Sequence, residues 1–450
     1  MSKIAAPRGT ADLYPPESGR WLELEARMRE LARRFGYGEI RTPMFESTEL
    51  FVRGVGETTD IVEKEMYTFT DKGGRSLTLR PEWTAPVVRA MLEHNLLVPG
   101  PLRLSYIGPF FRYERPQAGR YRQANQFGVE CFGFAGPEAD VEVMQIAYNL
   151  LASYGLRGVT LNVNTIGDAC CRPAYREALL AHFRPVVASL SEDSQRRLER
   201  NPLRILDSKA PEDRPFVESA PTFLDELCDA CRAHFAGVRE LLESVGIPYR
   251  VEPRLVRGFD YYTRTVFEFI ADSIGAQSTV CGGGRYDGLV KSLGGPDTPA
   301  VGFGLGLERF SMVLESVGAL PKAEPAGLAA IALGADARRY LYPIVARLRA
   351  RGDLASSRGA DVRGEGLVVR SDYRDRKIAK QFQDAEAAGI RAALIAGDDE
   401  ARAGTVTFRD LIARSERVLG PFGDAATAAD AIADAYFELP PATDAAAVPA

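Results

Sequence analysis

Histidine is nearly missing from this chain, with three in 450 residues at His94, His182 and His234. None falls in the motifs described below, so a histidine-based triad or a histidine-rich metal centre has little to build on. No apolar run approaches the ~18 residues of a membrane helix, and residues 1–17 lack the apolar core of a signal peptide. We therefore expect a soluble, cytoplasmic protein. Charge of one sign is lacking too. The formal charge is −5, and residues 423–450 supply all of it through Asp424, Asp430, Asp434, Glu438 and Asp444, with no Lys or Arg. Residues 1–422 sum to zero, so an anionic ligand has to be held by a local patch rather than by bulk attraction. No Walker A sequence is present. Residues 302–306 read G-F-G-L-G rather than G-x-G-x-x-G and lack the acidic residue expected about 20 positions on, which argues against a dinucleotide site.

Cysteine is sparse and scattered, six in all. Cys228-x-x-Cys231 is the one metal-like spacing. It has no second Cys-x-x-Cys nearby, and His234 is the only adjacent candidate ligand, so the spacing predicts no metal site and two thiols in a helix of a reducing compartment.

What is present has globular proportions: 46% hydrophobic and 26% charged residues, in a chain long enough for several domains. Trp21, Leu24, Met28, Leu31 and Phe35 recur at helical spacing, which predicts a helix over 18–35 with Ser18 as cap and Gly36 as stop. Strand-like runs follow at 39–46, 67–79, 102–107 and 127–134, then a helix ending at Gly155. Residues 168–250 are helical, charged and punctuated by proline, as an insertion between two parts of a β-rich domain would be. Strand signals return at 262–270, and a short helix is expected over 307–317. Past a linker at 321–327, strands alternate with helices, which predicts a small α/β domain. The tail is rich in Ala, Asp and Pro; 430–437 could make a short helix, and the rest is expected to be flexible.

Three constellations carry chemistry. The first is Phe111-Arg112-Tyr113-Glu114-Arg115-Pro116 through Arg122. Five arginines and one glutamate between Arg103 and Arg122 suit a polyphosphate, because Arg binds phosphate oxygens bidentately and stays charged. The second is Arg257-Gly258-Phe259-Asp260-Tyr261-Tyr262, a cation, a carboxylate and two phenols able to line a pocket for a flat polar ring. The third joins Cys281-Gly282-Gly283-Gly284-Arg285-Tyr286-Asp287 to Gly302-Phe303-Gly304-Leu305-Gly306-Leu307-Glu308-Arg309, where repeated glycines let backbone approach a ligand closely.

In order and spacing these motifs resemble the class II aminoacyl-tRNA synthetases, and the histidyl-tRNA synthetase family in particular. The likeness begins at Pro7-Arg8-Gly9-Thr10. It runs through Thr42-Pro43, similar to the class II dimer-interface motif, and Thr78-Leu79-Arg80-Pro81-Glu82. Residues 111–114 and 304–309 look like the second and third class motifs, and 257–262 and 282–287 like the stretches peculiar to the histidyl family. The resemblance implies an α+β fold: an antiparallel sheet flanked by helices with a helical insertion (168–250) over residues 1–322, a C-terminal α/β anticodon-binding domain over 323–422, and an acidic, Ala-rich tail over 423–450. It implies a homodimer that joins L-histidine to histidine tRNA through a histidyl-adenylate made from ATP, with Mg²⁺ on the ATP phosphates and no metal ligated by the protein.

By the same likeness, Arg112 would hold the α-phosphate, Arg257 would be an added cation beside it, and Arg309 would hold the ATP tail. Glu114 would face the adenine, and Arg120 could reach the γ-phosphate. Glu82, Thr84 and Gln126 match the positions that hold the substrate ammonium group. Glu130 and Tyr262 match the imidazole partners, with Tyr261 adjacent. Gln126 and Glu130, four apart on a strand, share one face, as a pocket wall needs. Departures from the family pattern are Tyr113 where a histidine is expected, Trp83 where a small residue is expected, Phe259 for leucine, an extra stretch at 353–366, and a loose match at 373–382. The competing expectation is a synthetase-like regulatory subunit of ATP phosphoribosyltransferase. Arg257, Arg112, Arg309 and the extra α/β domain speak against it.

Overall fold

The protein is described from a computed structural model. It covers the chain except residues 1–3, 57–58, 99, 118, 157, 272–278, 322–325, 351–366, 375 and 441–450. The extra stretch expected at 353–366 lies outside the described residues. Two compact units are present, Met1–Pro321 and Lys322–Ala450.

The first unit is built on an eight-stranded sheet. Its spatial order is Gly38–Glu39, Leu102–Phe111, Gln123–Phe132, Ala300–Gly306, Thr279–Arg285, Thr263–Ala271, Val159–Thr165 and Tyr249–Val251. All neighbours are antiparallel except the short strand at each edge, which pairs parallel. One face is closed by apolar side chains. Phe127, Val129 and Cys131 of one strand and Val301, Phe303 and Leu305 of its neighbour meet the helices Glu17–Arg34, Pro137–Ser153, Asp229–Ser244 and Leu307–Ser316. Each such buried large side chain contributes on the order of 1.5–3 kcal/mol. The other face meets Thr84–Glu93 and the insertion helices, among them Arg172–Phe183 and Glu192–Arg200, and it carries the cavity described below. The helix predicted over 18–35 spans Glu17–Arg34; Ser18 lies within it rather than capping it, and Gly36 follows at φ +79°.

Two strands here were not expected. Thr279–Arg285 and Ala300–Gly306 hold the densest glycine in the chain yet sit at the centre of the sheet. Glycine disfavours strands by entropy, so something other than propensity places it there.

Fully buried Arg285 donates to Asp140 and to the carbonyls of Phe134 (2.9 Å) and Gly136 (3.0 Å). His234 Nε2 lies 3.3 Å from the same Asp140 carboxylate. Arg285 is thus structural, although it sits inside the third motif. Removing one partner of a buried ion pair strands the other charge. Arg285→Leu is expected to lower the stability of the first unit by about 3–5 kcal/mol, read from urea unfolding; a loss below ~1 kcal/mol would contradict the assigned role.

The second unit holds a five-stranded sheet in the order Val369–Ser371, Leu328–Leu333, Ala392–Gly397, Val406–Asp410 and Glu416–Leu419. The first three strands are parallel and the last two antiparallel. The short helix expected at 430–437 is present, but it is longer, Ala425–Phe437, and it lies in the core of this unit rather than in a flexible tail. Asp424 caps it by accepting from the backbone N–H of Ala426 and Thr427, both at 2.8 Å. Ala428, Ala429, Ile432, Ala433 and Ala435 are buried against Ala335–Ala350 and the sheet. Their small side chains read as low complexity in sequence, but they let a helix pack closely.

Candidate active site

The strands Leu102–Phe111 and Gln123–Phe132 pair along their whole length, with Leu104 opposite Glu130 and Phe111 opposite Gln123. Strand alternation sends Phe127, Val129 and Cys131 into the helix-covered core and leaves Gln126 and Glu130 on the other face. The neighbouring glycines explain themselves at this point. A Cβ at Gly302 would lie 1.9 Å from Glu130 Oε2, one at Gly304 1.5 Å from Gln126 Nε2, and one at Gly282 2.6 Å from Arg257 Nη1. The glycines clear the floor of a cavity for side chains that cross over it, a use different from the ligand approach that sequence alone suggests.

The cavity measures about 470 Å³. Every residue predicted for the site lines it: Glu82, Thr84, Gln126, Glu130, Tyr261 and Tyr262 from the histidine set, and Arg112, Glu114, Arg120, Arg257 and Arg309 from the catalytic and nucleotide set. Arg112, Arg257 and Arg309, drawn from three distant motifs, therefore share one space.

One part of it is an acidic slot. Glu82 is buried where the Thr84–Glu93 helix begins, and its carboxylate accepts from the backbone N–H of Thr84 (2.6 Å) and Ala85 (2.8 Å). Burial still holds Glu82 above the ordinary carboxylate range, against those bonds. Glu130 is 1% exposed, and its partners are hydroxyls: Tyr286, Thr84 at 2.8 Å and Tyr106 at 3.4 Å. Burial above all, with the nearby Glu82 charge, pushes Glu130 up to about 8 against the bonds from Tyr286 and Thr84. Burial also raises Tyr106, Tyr261 and Tyr286 well above the usual phenol range, so all three stay neutral donors. Two buried carboxyl groups held mainly by neutral donors leave the slot acidic, and a cationic, hydrogen-bonding guest complements it.

Beside the slot stand the guanidinium groups. Arg112 Nε donates to the carbonyl of Pro81 at 2.8 Å, which fixes the side chain next to Glu82. Arg120 pairs with Glu114 at 3.1 Å, and Arg309 donates to the carbonyl of Thr279 at 2.9 Å. Arg257 is paired with Glu268; burial opposes its charge, but Glu268 and Tyr262 raise it above the ordinary guanidinium value. Such anchoring presets cations before any anion arrives, which is how electrostatic catalysis avoids reorganisation.

Comparison with known proteins decides the family. Residues 9–310 match the family model described as histidyl-tRNA synthetase, and residues 330–430 match the anticodon binding domain. The chain belongs to the histidyl-tRNA synthetase family. It is 47% identical over 418 residues to the histidine–tRNA ligase of Streptococcus gordonii, covering 92% of this chain and 95% of that one. It is 49% identical over 412 residues to that of Moorella thermoacetica, covering 91% and 94%. Among solved structures, the apo histidyl-tRNA synthetase of S. aureus is 35% identical with a TM-score of 0.77, covering 96% of this chain and 100% of that one. The antiparallel sheet with its flanking helices and the C-terminal unit agree with the fold that the family likeness implied.

Sequence reasoning missed side chains of the cavity that hold the predicted residues in place. Tyr286 and Tyr106 both bond Glu130, and Glu268 holds Arg257. Tyr286 lay inside the third motif and was legible as a phenol. Tyr106 was signalled only by Gly128 opposite it, where a Cβ would meet the Tyr106 ring at 2.3 Å. Of the five arginines between Arg103 and Arg122, Arg112 and Arg120 line the cavity. Arg103 instead pairs with Glu142 at 2.8 Å, and Arg122 lies over the exposed Tyr113 ring. Tyr113, the first departure, is thus a surface contact outside the cavity. Trp83 is buried, stacked on Tyr106 at 4.6 Å and covered by the Arg80 guanidinium at 3.4 Å. Its bulk supports Tyr106, and through it Glu130.

Proposed function

We propose that this chain activates L-histidine with ATP and transfers it to histidine tRNA. The observation that carries the reading is the single cavity in which a buried acidic slot adjoins anchored guanidinium groups. In the first step a carboxylate oxygen of histidine attacks the α-phosphorus of ATP. The new P–O bond forms as the bond to the β-phosphate oxygen breaks, and pyrophosphate leaves with the electron pair. Two anions must meet, so the barrier is largely electrostatic, and preset cations lower it. Arg112 holds the α-phosphate and Arg257 stands beside it where charge builds. Arg309 and Arg120 take the phosphate tail, and Glu114 faces the adenine. In the second step the terminal hydroxyl of the tRNA attacks the acyl carbon and AMP leaves.

Glu82, Thr84 and Gln126 receive the ammonium group. Glu130 and Tyr262 receive the imidazole, with Tyr261 beside them. Thr84 serves both groups, since its hydroxyl already donates to Glu130. A site built to hydrogen-bond its substrate rejects analogues lacking the partner by ~10⁴-fold or more. Three carboxylates of the cavity already have partners: Glu268 has Arg257, Glu114 has Arg120, and Glu308 accepts from the backbone N–H of Asn125 at 2.9 Å. Mg²⁺ enters as part of the ATP substrate, on its phosphates.

Two further parts of the reading concern partners. Met44, Phe45 and Phe69 are exposed on or beside the small sheet Phe45–Ser47, Ser76–Leu79 and Tyr67–Thr70. An apolar patch of this kind next to Thr42-Pro43 suits a second copy of the chain, as a homodimer. In the second unit, Lys377, Lys380, Arg409 and Arg414 line a cleft suited to the tRNA backbone. No helix among the described residues is long and apolar enough to cross a membrane, and the cytoplasm is where ATP and tRNA meet the enzyme.

Exchange of labelled pyrophosphate into ATP, screened over the twenty amino acids, tests the assignment. Exchange with histidine alone is expected. Activation of another amino acid, or no exchange with any, would overturn it, and the second outcome would favour a regulatory binding module. Reversing charge in the basic cleft with Lys377→Glu and Arg414→Glu together is expected to raise the KM for tRNA by about tenfold or more while exchange is unchanged. Equal loss of both activities would remove that role.

The slot also sets a pH window. Near neutrality the free protein holds one proton on Glu130 and free histidine has a neutral ring, so the complex shares that proton with no net exchange. Above about 8 Glu130 has lost it and binding must take a proton up. Below ~6.5 the imidazole of free histidine is charged and binding must release one. Histidine affinity is therefore expected to fall on both sides of a plateau between these values. Affinity that stays flat from pH 7 to about 9.5 would contradict the proton count.

A further inference from the structure

The helical insertion contains a cluster that the reaction does not use. Asp168 and Cys171 lie in the turn ahead of the Arg172–Phe183 helix, and Cys228 and Cys231 lie at the start of Asp229–Ser244. The fold brings the two turns together. The three sulfurs and a carboxylate oxygen of Asp168 all lie within 4.8 Å of one another. Cys171 and Cys231 are buried at 2% and 1% exposure, while Cys228 and Asp168 are half-buried. His234, the neighbour that spacing offered as a ligand, turns away to Asp140. The missing ligands come instead from 57 residues upstream, where no spacing rule looks.

We propose that Asp168, Cys171, Cys228 and Cys231 form a closed zinc site that clamps the two turns of the insertion together. The donor set selects the metal: thiolates are soft ligands that favour zinc over Mg²⁺ or Ca²⁺, and three thiolates with one carboxylate complete a tetrahedron. Tetrahedral zinc with Zn–S near 2.3 Å holds its sulfurs about 3.8 Å apart, inside the spread seen here. The surroundings suit charged ligands. The Cys228 backbone N–H donates to Cys171 Sγ at 3.2 Å. Arg264 donates to Asp168 Oδ2 at 3.2 Å, and the other oxygen, Oδ1, lies 3.9 Å from Cys171 Sγ. Cys171 and Cys228 are the cap residues of their helices, so the positive helix ends face the sulfurs. Four protein ligands leave no open position, so the site is structural rather than catalytic. Its consequence reaches the cavity, because Arg172, next to Cys171, donates to the backbone carbonyl of Tyr262.

The test uses the full-length protein. Elemental analysis after desalting is expected to find about one zinc per chain, and Cys228→Ser, at the half-exposed ligand, is expected to lose most of it. Independently of any variant, the reduced, metal-stripped protein titrated with Co²⁺ alone should develop thiolate-to-cobalt charge-transfer absorption that saturates near one equivalent and is displaced by Zn²⁺. Failure of the reduced protein to develop that absorption would overturn the site. So would a disulfide among these cysteines in the native protein together with no cobalt uptake after its reduction.

Discussion

Replacing Arg257 with alanine slows histidine-dependent pyrophosphate exchange by about 10²-fold or more, the scale of one transition-state donor, and leaves ATP and histidine affinity largely intact. The argument rests on position and pairing. Arg257 is half-buried, held by Glu268, and accommodated by the bare backbone of Gly282. A cation so fixed does most for charge that develops on the α-phosphate during reaction. One complication is chemical: alanine also leaves Glu268 unpaired, and an uncompensated carboxylate beside ATP is harmful in itself. Adding Glu268→Gln to the variant separates the two. Rates that stay low in the double variant assign the loss to the missing guanidinium. Recovery to near the wild-type rate would assign it to Glu268 and remove the catalytic role of Arg257.

Glu130→Gln carries the second large effect, on the amino acid instead of the nucleotide. Hydrogen bonds to charged groups are worth roughly 1.5–3 kcal/mol, so the KM for histidine should rise by about 10- to 10²-fold. ATP affinity should hold. The substitution keeps the volume; its one carbonyl accepts from Thr84 or from Tyr286, and the other hydroxyl turns to accept from the amide N–H, so folding is largely spared. It also removes one titrating group, so the fall in affinity above about pH 8 should shrink to the part caused by the substrate's own ammonium group losing its proton. A variant that keeps the wild-type KM, or keeps the whole of the alkaline fall, would show that Glu130 does not meet the imidazole.

Much of the site was legible because its chemistry is written in short runs. Arg112 and Glu114 sit in one motif, Arg257 and Tyr262 in another, and the two-residue period of a strand put Gln126 and Glu130 on one wall before any coordinates. What stayed hidden depends on pairing across strands. Gly302 and Gly304 read as turn or ligand-approach glycines. Only the register shows them facing Glu130 and the strand that carries Gln126, and only then is it clear why a central strand tolerates them. Glu268 lies in no motif of the sequence, and its pairing with Arg257, from another segment, is visible only in the fold. The same holds for Asp168 and Cys171, whose meeting with Cys228 and Cys231 is a tertiary event. At the C-terminus, the helix expected at 430–437 was found, but alanine-rich composition concealed its start at Ala425 and its place in the core, since small residues signal disorder in sequence as readily as close packing in a fold.

The most direct test is a crystal structure of the protein with a non-hydrolysable histidyl-adenylate analogue. The account predicts density inside the cavity lined by Glu130, Arg112 and Arg257, with the imidazole on Glu130 and the phosphate between the two arginines. An analogue bound with its ring away from Glu130, or with its phosphate touching neither arginine, would contradict it.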